Sequence, residues 1–112
     1  MYYHVVMMQF VEAAGDEFHR RVAAYAQRVR AECAGVLHYD CRANSAPRAK
    51  GYTHAVVSLF ESPEAHHRYQ QSAAHLEMKG YMLPFIADIV ECNADVPGVD
   101  ASVVAGTTGR TR

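Results

Sequence analysis

The strongest constraint on this chain is a first strand with no face suited to water. Residues Tyr2 to Val11 are rich in β-branched and aromatic types, which favour a pleated, packed backbone. The even positions are Tyr2, His4, Val6, Met8 and Phe10, and the odd ones are Tyr3, Val5, Met7, Gln9 and Val11. Successive strand residues point to opposite faces. Both faces are therefore mainly apolar, and both need cover. The segment Gly51 to Phe60 repeats the pattern. Tyr52, His54, Val56 and Ser58 fall on one side, and Thr53, Ala55, Val57 and Leu59 on the other.

Helices supply the cover for one face. Ala13-Ala14-Gly15-Asp16 is a break, with Asp16 the expected N-cap. Phe18, Val22, Tyr25 or Ala26, Val29 and Cys33 then recur at three- and four-residue spacing, and Arg20, Arg21, Gln27, Arg28 and Arg30 take the opposite side. That is an amphipathic helix ended by Ala34-Gly35. A second strand is expected over Val36 to Cys41, followed by a polar loop from Arg42 to Lys50. Ser62-Pro63-Glu64 opens another helix, with Ser as cap, Pro at the first helical position and an acid in the first turn. This helix runs to about Gln71. Ser72 restarts the helix, which continues to Leu83 and stops at Pro84. A last strand is expected from Phe85 to Cys92, and from Asn93 onward no helical or strand period remains.

The order βαββα(α)β is that of a split βαβ, ferredoxin-like α+β domain with a four-stranded antiparallel sheet. With 112 residues there is room for one domain. It is expected over 1–95, with 96–112 as a C-terminal tail. Helices cover only one face of such a sheet. The simplest cover for the other is a second copy of the same sheet, so a homodimer is expected.

The formal net charge of −1 provides no basic field for nucleic acid. No apolar run approaches the roughly 18 residues of a membrane span, so no membrane partner is expected. The opening residues read as a strand, not as a signal peptide. Cys33, Cys41 and Cys92 form no paired motif, and are expected as reduced, mostly buried thiols in a cytoplasmic protein.

Chemistry concentrates at the helix break. Tyr69 and His75 lie six residues apart. In one unbroken helix they would point about 120° away from each other. A restart at Ser72 lets them converge and sets His75 at the third helical position. The positive helix end there favours neutral imidazole, a possible base, and a nearby phenol can donate to a developing oxyanion. The bland alternative is that His75 caps a helix and Tyr69 packs its ring. His4 and His54 sit at even strand positions. With Val6, Met8 and Val56 they are the residues expected to bind substrate. His66 and His67 are expected on a solvated face. Neither His75 nor the cysteines stand at zinc-ligand spacing from them, so no metal and no cofactor are expected.

Three stretches, His4 to Phe10, Gly51 to Ser62, and Tyr69 to His75 with Pro84 to Ile89, resemble the stress-responsive A/B barrel family, and the likeness covers residues 2 to about 95. The resemblance implies this same fold, paired into a dimeric α/β barrel. The best understood activity in the family is that of plant olivetolic acid cyclase, which closes a linear poly-β-keto chain by intramolecular aldol condensation without a cofactor. By motif, its working Tyr and His fall on Tyr69 and His75, and its pocket histidines on His4 and His54. The family commonly shows His-Pro-x-His where this chain has Ser72-Ala73-Ala74-His75. Val22 and Ala26 stand near the positions of the cyclase's bulky pocket aromatics, which implies a different substrate. The implied function is a lyase-type cyclase acting on a polyketide-like or β-dicarbonyl small molecule. The alternatives are a non-catalytic dimeric stress or ligand-binding protein, and a cofactor-free monooxygenase of the antibiotic-biosynthesis type.

Overall fold

The computed structural model describes residues 1–97. In chain order the elements are β1 (Tyr2–Phe10), α1 (Asp16–Glu32), β2 (Val36–Ala43), β3 (His54–Phe60), α2 (Pro63–Gln70), α3 (Ala73–Met82), a 3-10 turn at Leu83–Phe85, and β4 (Ile86–Asp95). The four strands form one antiparallel sheet in the order β2-β3-β1-β4. This is the expected ferredoxin-like α+β fold.

All three helices lie on one face of the sheet. Phe18, Val22, Ala26 and Val29 of α1 pack with Tyr39, Met8, Val56 and Phe60 of the sheet and with Ala65, Tyr69, Ala74, Met78 and Met82 of α2 and α3. Gly35 makes the sharp turn from α1 into β2 possible. Its φ is +86°, and a Cβ there would lie 2.6 Å from the Ala65 Cβ. Only glycine permits both the conformation and the close approach of α2.

Several boundaries differ from expectation for identifiable reasons. Gly15, not Asp16, occupies the N-cap, and Asp16 sits in the acidic first turn, where the macrodipole favours it. β3 begins at His54, not Gly51, because Lys50 and Gly51 take positive φ values of 54° and 85° and break the extended backbone. β4 runs on to Asp95 because β1 keeps pairing with it, with Tyr2 opposite Asp95 and His4 opposite Asn93. Cys33 and Cys41 are half-buried, but Cys92 is exposed on β4. The expected tail overlaps the described chain only at Val96 and Pro97. The rest of it lies outside the described residues.

Among the described residues, no helix covers the far face of the sheet. Tyr3 and Met7 of β1, Val57 of β3 and Val90 of β4 are exposed there. Val5 pairs with Val57, and Met7 pairs with both Ala55 and Val90, so these residues form one apolar surface. No helix among the described residues is long and apolar enough to cross a membrane.

Candidate active site

A cavity of about 350 Å³ lies between the sheet and the second helical region. His4, Val6 and Met8 of β1 and Val56 of β3 form its floor, and Tyr69, His75 and Met78 form its helical wall. Ile89 and Glu91 of the edge strand stand at its rim. Most of the lining surface is apolar, and polar groups of His4, Tyr39, Tyr69, His75, Lys79 and Glu91 are set into it, an arrangement compatible with a small-molecule site.

The helix break organises the wall. The Ser72 hydroxyl donates to the Tyr69 carbonyl at 2.7 Å and accepts from the His75 backbone N–H at 3.1 Å. One side chain thus ends α2 and starts α3. The Tyr69 and His75 rings then meet with centroids 4.5 Å apart. Ser72→Ala is expected to cost about 1 kcal/mol, the usual value of a lost N-cap, read by denaturant unfolding. No measurable loss would mean the break is held by something else.

The two side chains have defined protonation. The His75 Nδ1–H donates to the Gln70 carbonyl at 3.0 Å, which leaves Nε2 as the basic nitrogen. Burial, with lesser contributions from Lys79 and His4, lowers the His75 pKa below its usual value, against the pull of the Gln70 carbonyl and Glu91. The ring is therefore neutral at pH 7. Burial raises the Tyr69 pKa far above the usual phenol value, and the neighbouring Tyr39 adds to it. Tyr69 is a proton donor, not a phenolate. Its hydroxyl lies 2.7 Å from that of Tyr39, whose own acidity burial also suppresses.

The structure thus gathers Tyr69, His75, His4, Val6, Met8 and Val56 around one cavity. It leaves His54 out. His54 faces the helix side as expected, but it pairs with Met8, while His4 pairs with Ser58. Four residues along a strand is about 13 Å. His54 instead stacks between Phe10 and His19, with centroids 4.9 and 4.8 Å away. Its Nδ1 is 2.9 Å from the Thr53 hydroxyl.

His66 is also not where its neighbours in sequence suggested. It is 5% exposed, and only His67 faces solvent. Its ring packs against His4 at 4.3 Å and against Tyr2, Phe60 and Tyr69 at 5.2 to 5.7 Å. Burial, then the nearby His4, pull its pKa down to about 4. Its Nε2 has no hydrogen-bond partner among the described residues, a state that typically costs about 1–3 kcal/mol.

Three further polar groups escaped the sequence reading. Tyr39 holds the Tyr69 hydroxyl. Asn93 and Glu91 sit beside His4, with Asn93 Oδ1 at 2.7 Å and Glu91 Oε2 at 3.3 Å from its Nδ1. Tyr39 had one available signal. It alternates with Cys41 on a strand, at the parity that pairs with Ser58 and Val56.

The fold and the site together define a class of small ferredoxin-like α+β domains with a His- and Tyr-lined cavity on the helix side of the sheet. Within that class the assignment is specific. The family described as Stress responsive A/B Barrel Domain matches residues 2–96, and the chain belongs to it. Solved structures with this fold include a Dabb family protein from Mesorhizobium loti, with a TM-score of 0.70 and 18% identity over 87% of this chain and 97% of that one. A hydroxynitrile lyase from Passiflora edulis has a TM-score of 0.75 and 20% identity over 88% and 94%. A dimeric ferredoxin-like protein from Thermobifida fusca has a TM-score of 0.73 and 18% identity over 85% and 90%. No curated protein sequence matches the chain.

Proposed function

We propose that this protein is a lyase-type cyclase that closes a ring in a polyketide-like or β-dicarbonyl small molecule by acid–base catalysis. The observation that carries this reading is the contact of the Tyr69 and His75 rings at the wall of a small-molecule-sized cavity. His75 Nε2 takes a proton from an activated methylene. The carbanion attacks a carbonyl carbon of the same chain, a C–C bond forms, and Tyr69 protonates the resulting alkoxide. The imidazolium then returns a proton to Tyr69, whose ring centroid lies 4.5 Å from its own. When Tyr39 donates to Tyr69, the Tyr69 proton is free to point at the substrate, so Tyr39 acts as a positioning residue. These groups supply the chemistry without a cofactor, and His4, Val6, Met8 and Val56 shape the floor.

A packed interior beside His75 would favour a non-catalytic role. The cavity there favours an enzyme, and a lyase is among the structures that share the fold. Pairing of the far sheet face with a second copy completes the proposed molecule. The test is incubation of the wild-type protein with linear tri- and tetra-β-keto thioesters and the corresponding free acids, followed by mass spectrometry. The expected result is a ring-closed product formed faster than in buffer. No acceleration across that series overturns the reading.

A further inference from the structure

The proposed proton transfers leave one cluster of titratable side chains without a part in them. His4 of β1, His66 of α2 and Glu91 of β4 each offer a ligand atom, and these atoms lie within 4.8 Å of one another. We propose that they form a binding site for a divalent transition-metal ion of the zinc class. Two imidazoles and one carboxylate are a donor set that such ions take.

Two observations beyond proximity point to a ligand. The first is the orphaned Nε2 of His66, on a side chain that is 95% buried (5% exposed). Buried polar atoms in native proteins nearly always have a partner, and a cation would supply one. The second is Asn93. Its Oδ1 is 2.7 Å from His4 Nδ1, and its Nδ2 donates to Glu91 Oε2 at 2.9 Å. Outer partners of this kind fix the orientation of ligands around a metal.

The fit requires a modest closure. A tetrahedral ion with bonds of about 2.0–2.2 Å draws its ligand atoms to roughly 3.5 Å of one another. His4 and His66 already pack ring against ring at 4.3 Å, and Glu91, half-exposed on the edge strand, can turn its Oε1 inward while Oε2 keeps the Asn93 hydrogen bond. His4 and Glu91 also line the cavity. An ion held by them places positive charge at the cavity wall and favours anionic small molecules, those bearing a carboxylate or able to form an enolate.

The site borders the same cavity as the acid–base pair, but its test uses no substrate. Tag-free protein is titrated with Zn²⁺ alone by calorimetry, and with Co²⁺ by visible absorption. One equivalent per chain is expected. Glu91→Gln should weaken binding at least tenfold, His66→Ala should remove it, and His67→Ala, on the exposed side, should leave it unchanged. If His66→Ala fails to fold, Glu91→Gln decides, because its side chain lies at the rim. Absence of stoichiometric binding in the wild type overturns the proposal. So does Glu91→Gln binding as tightly as wild type. Loss of cyclase activity in the substrate series leaves this result untouched.

Discussion

Replacing His75 with alanine is expected to lower turnover of a ring-closing substrate by about 10²–10⁴-fold, the usual contribution of a positioned acid–base group. The fold should survive. The ring is only half-buried, and its one hydrogen bond among the described residues is to the Gln70 carbonyl at the helix break. Alanine keeps the backbone N–H that Ser72 accepts. Circular dichroism and thermal unfolding should therefore match wild type. Tyr69→Phe provides the second arm. It keeps the buried ring and removes only the hydroxyl, leaving Tyr39 with Met78 Sδ at 3.5 Å. The expected loss is of similar order. The pH profile follows from the same site. His75 works as a base only when neutral, and its pKa lies below the usual 6.5. The groups facing it are Lys79, His4, Glu91, Tyr69 and the Gln70 carbonyl. Activity should be full at pH 7 and fall as pH drops through that lowered value, so the acid limb sits below 6.5. Unchanged turnover in His75→Ala removes the assignment.

The residues that make this pair were readable because their signals are local. Ser62-Pro63 and Ser72 are capping residues with short-range chemistry, and the restart at Ser72 follows from its neighbours alone. The α1 stripe and the two-faced strands are likewise periodic. The parts that were not readable depend on register. Parity placed His54 on the helix side, but its distance from His4 depends on which residue of β1 it pairs with. Glu91 and Asn93 reach His4 only through the β1–β4 pairing, which shifts between Gln9 and Phe10. His66 was missed for another reason. The buried face of α2 is Ala65, His66 and Tyr69. In eight residues that are otherwise polar, this stripe is too short to show a period, and a histidine within it counts as polar. Only the aromatic shell of Tyr2, Phe60 and Tyr69 shows that it belongs inside.

Val57→Glu is expected to convert the proposed dimer into a monomer. Val57 lies on the far face, opposite Val5 and flanked on β1 by Tyr3 and Met7, which pair with Leu59 and Ala55. It is 42% exposed in the single chain, and Met7 and Tyr3 are 37% and 47% exposed. A carboxylate there costs the isolated domain little, since the side chain already meets water. In a face-to-face dimer the same carboxylate would be desolvated with no partner, a cost of several kcal/mol. An interface of standard size, roughly 800 Å² per partner, does not tolerate that cost at its centre. Sedimentation velocity should therefore show wild type at twice the 12.4 kDa chain mass and the variant at once that mass. Wild type sedimenting as a monomer at tens of micromolar ends the dimer reading. The variant also separates assembly from chemistry. Tyr69, His75, His4 and the cavity floor lie on the opposite side of the sheet, within one chain. A monomeric Val57→Glu protein that still folds should therefore retain the cavity and its acid–base pair. Turnover lost together with the dimer would instead mean that the second copy shapes the site through the shared sheet.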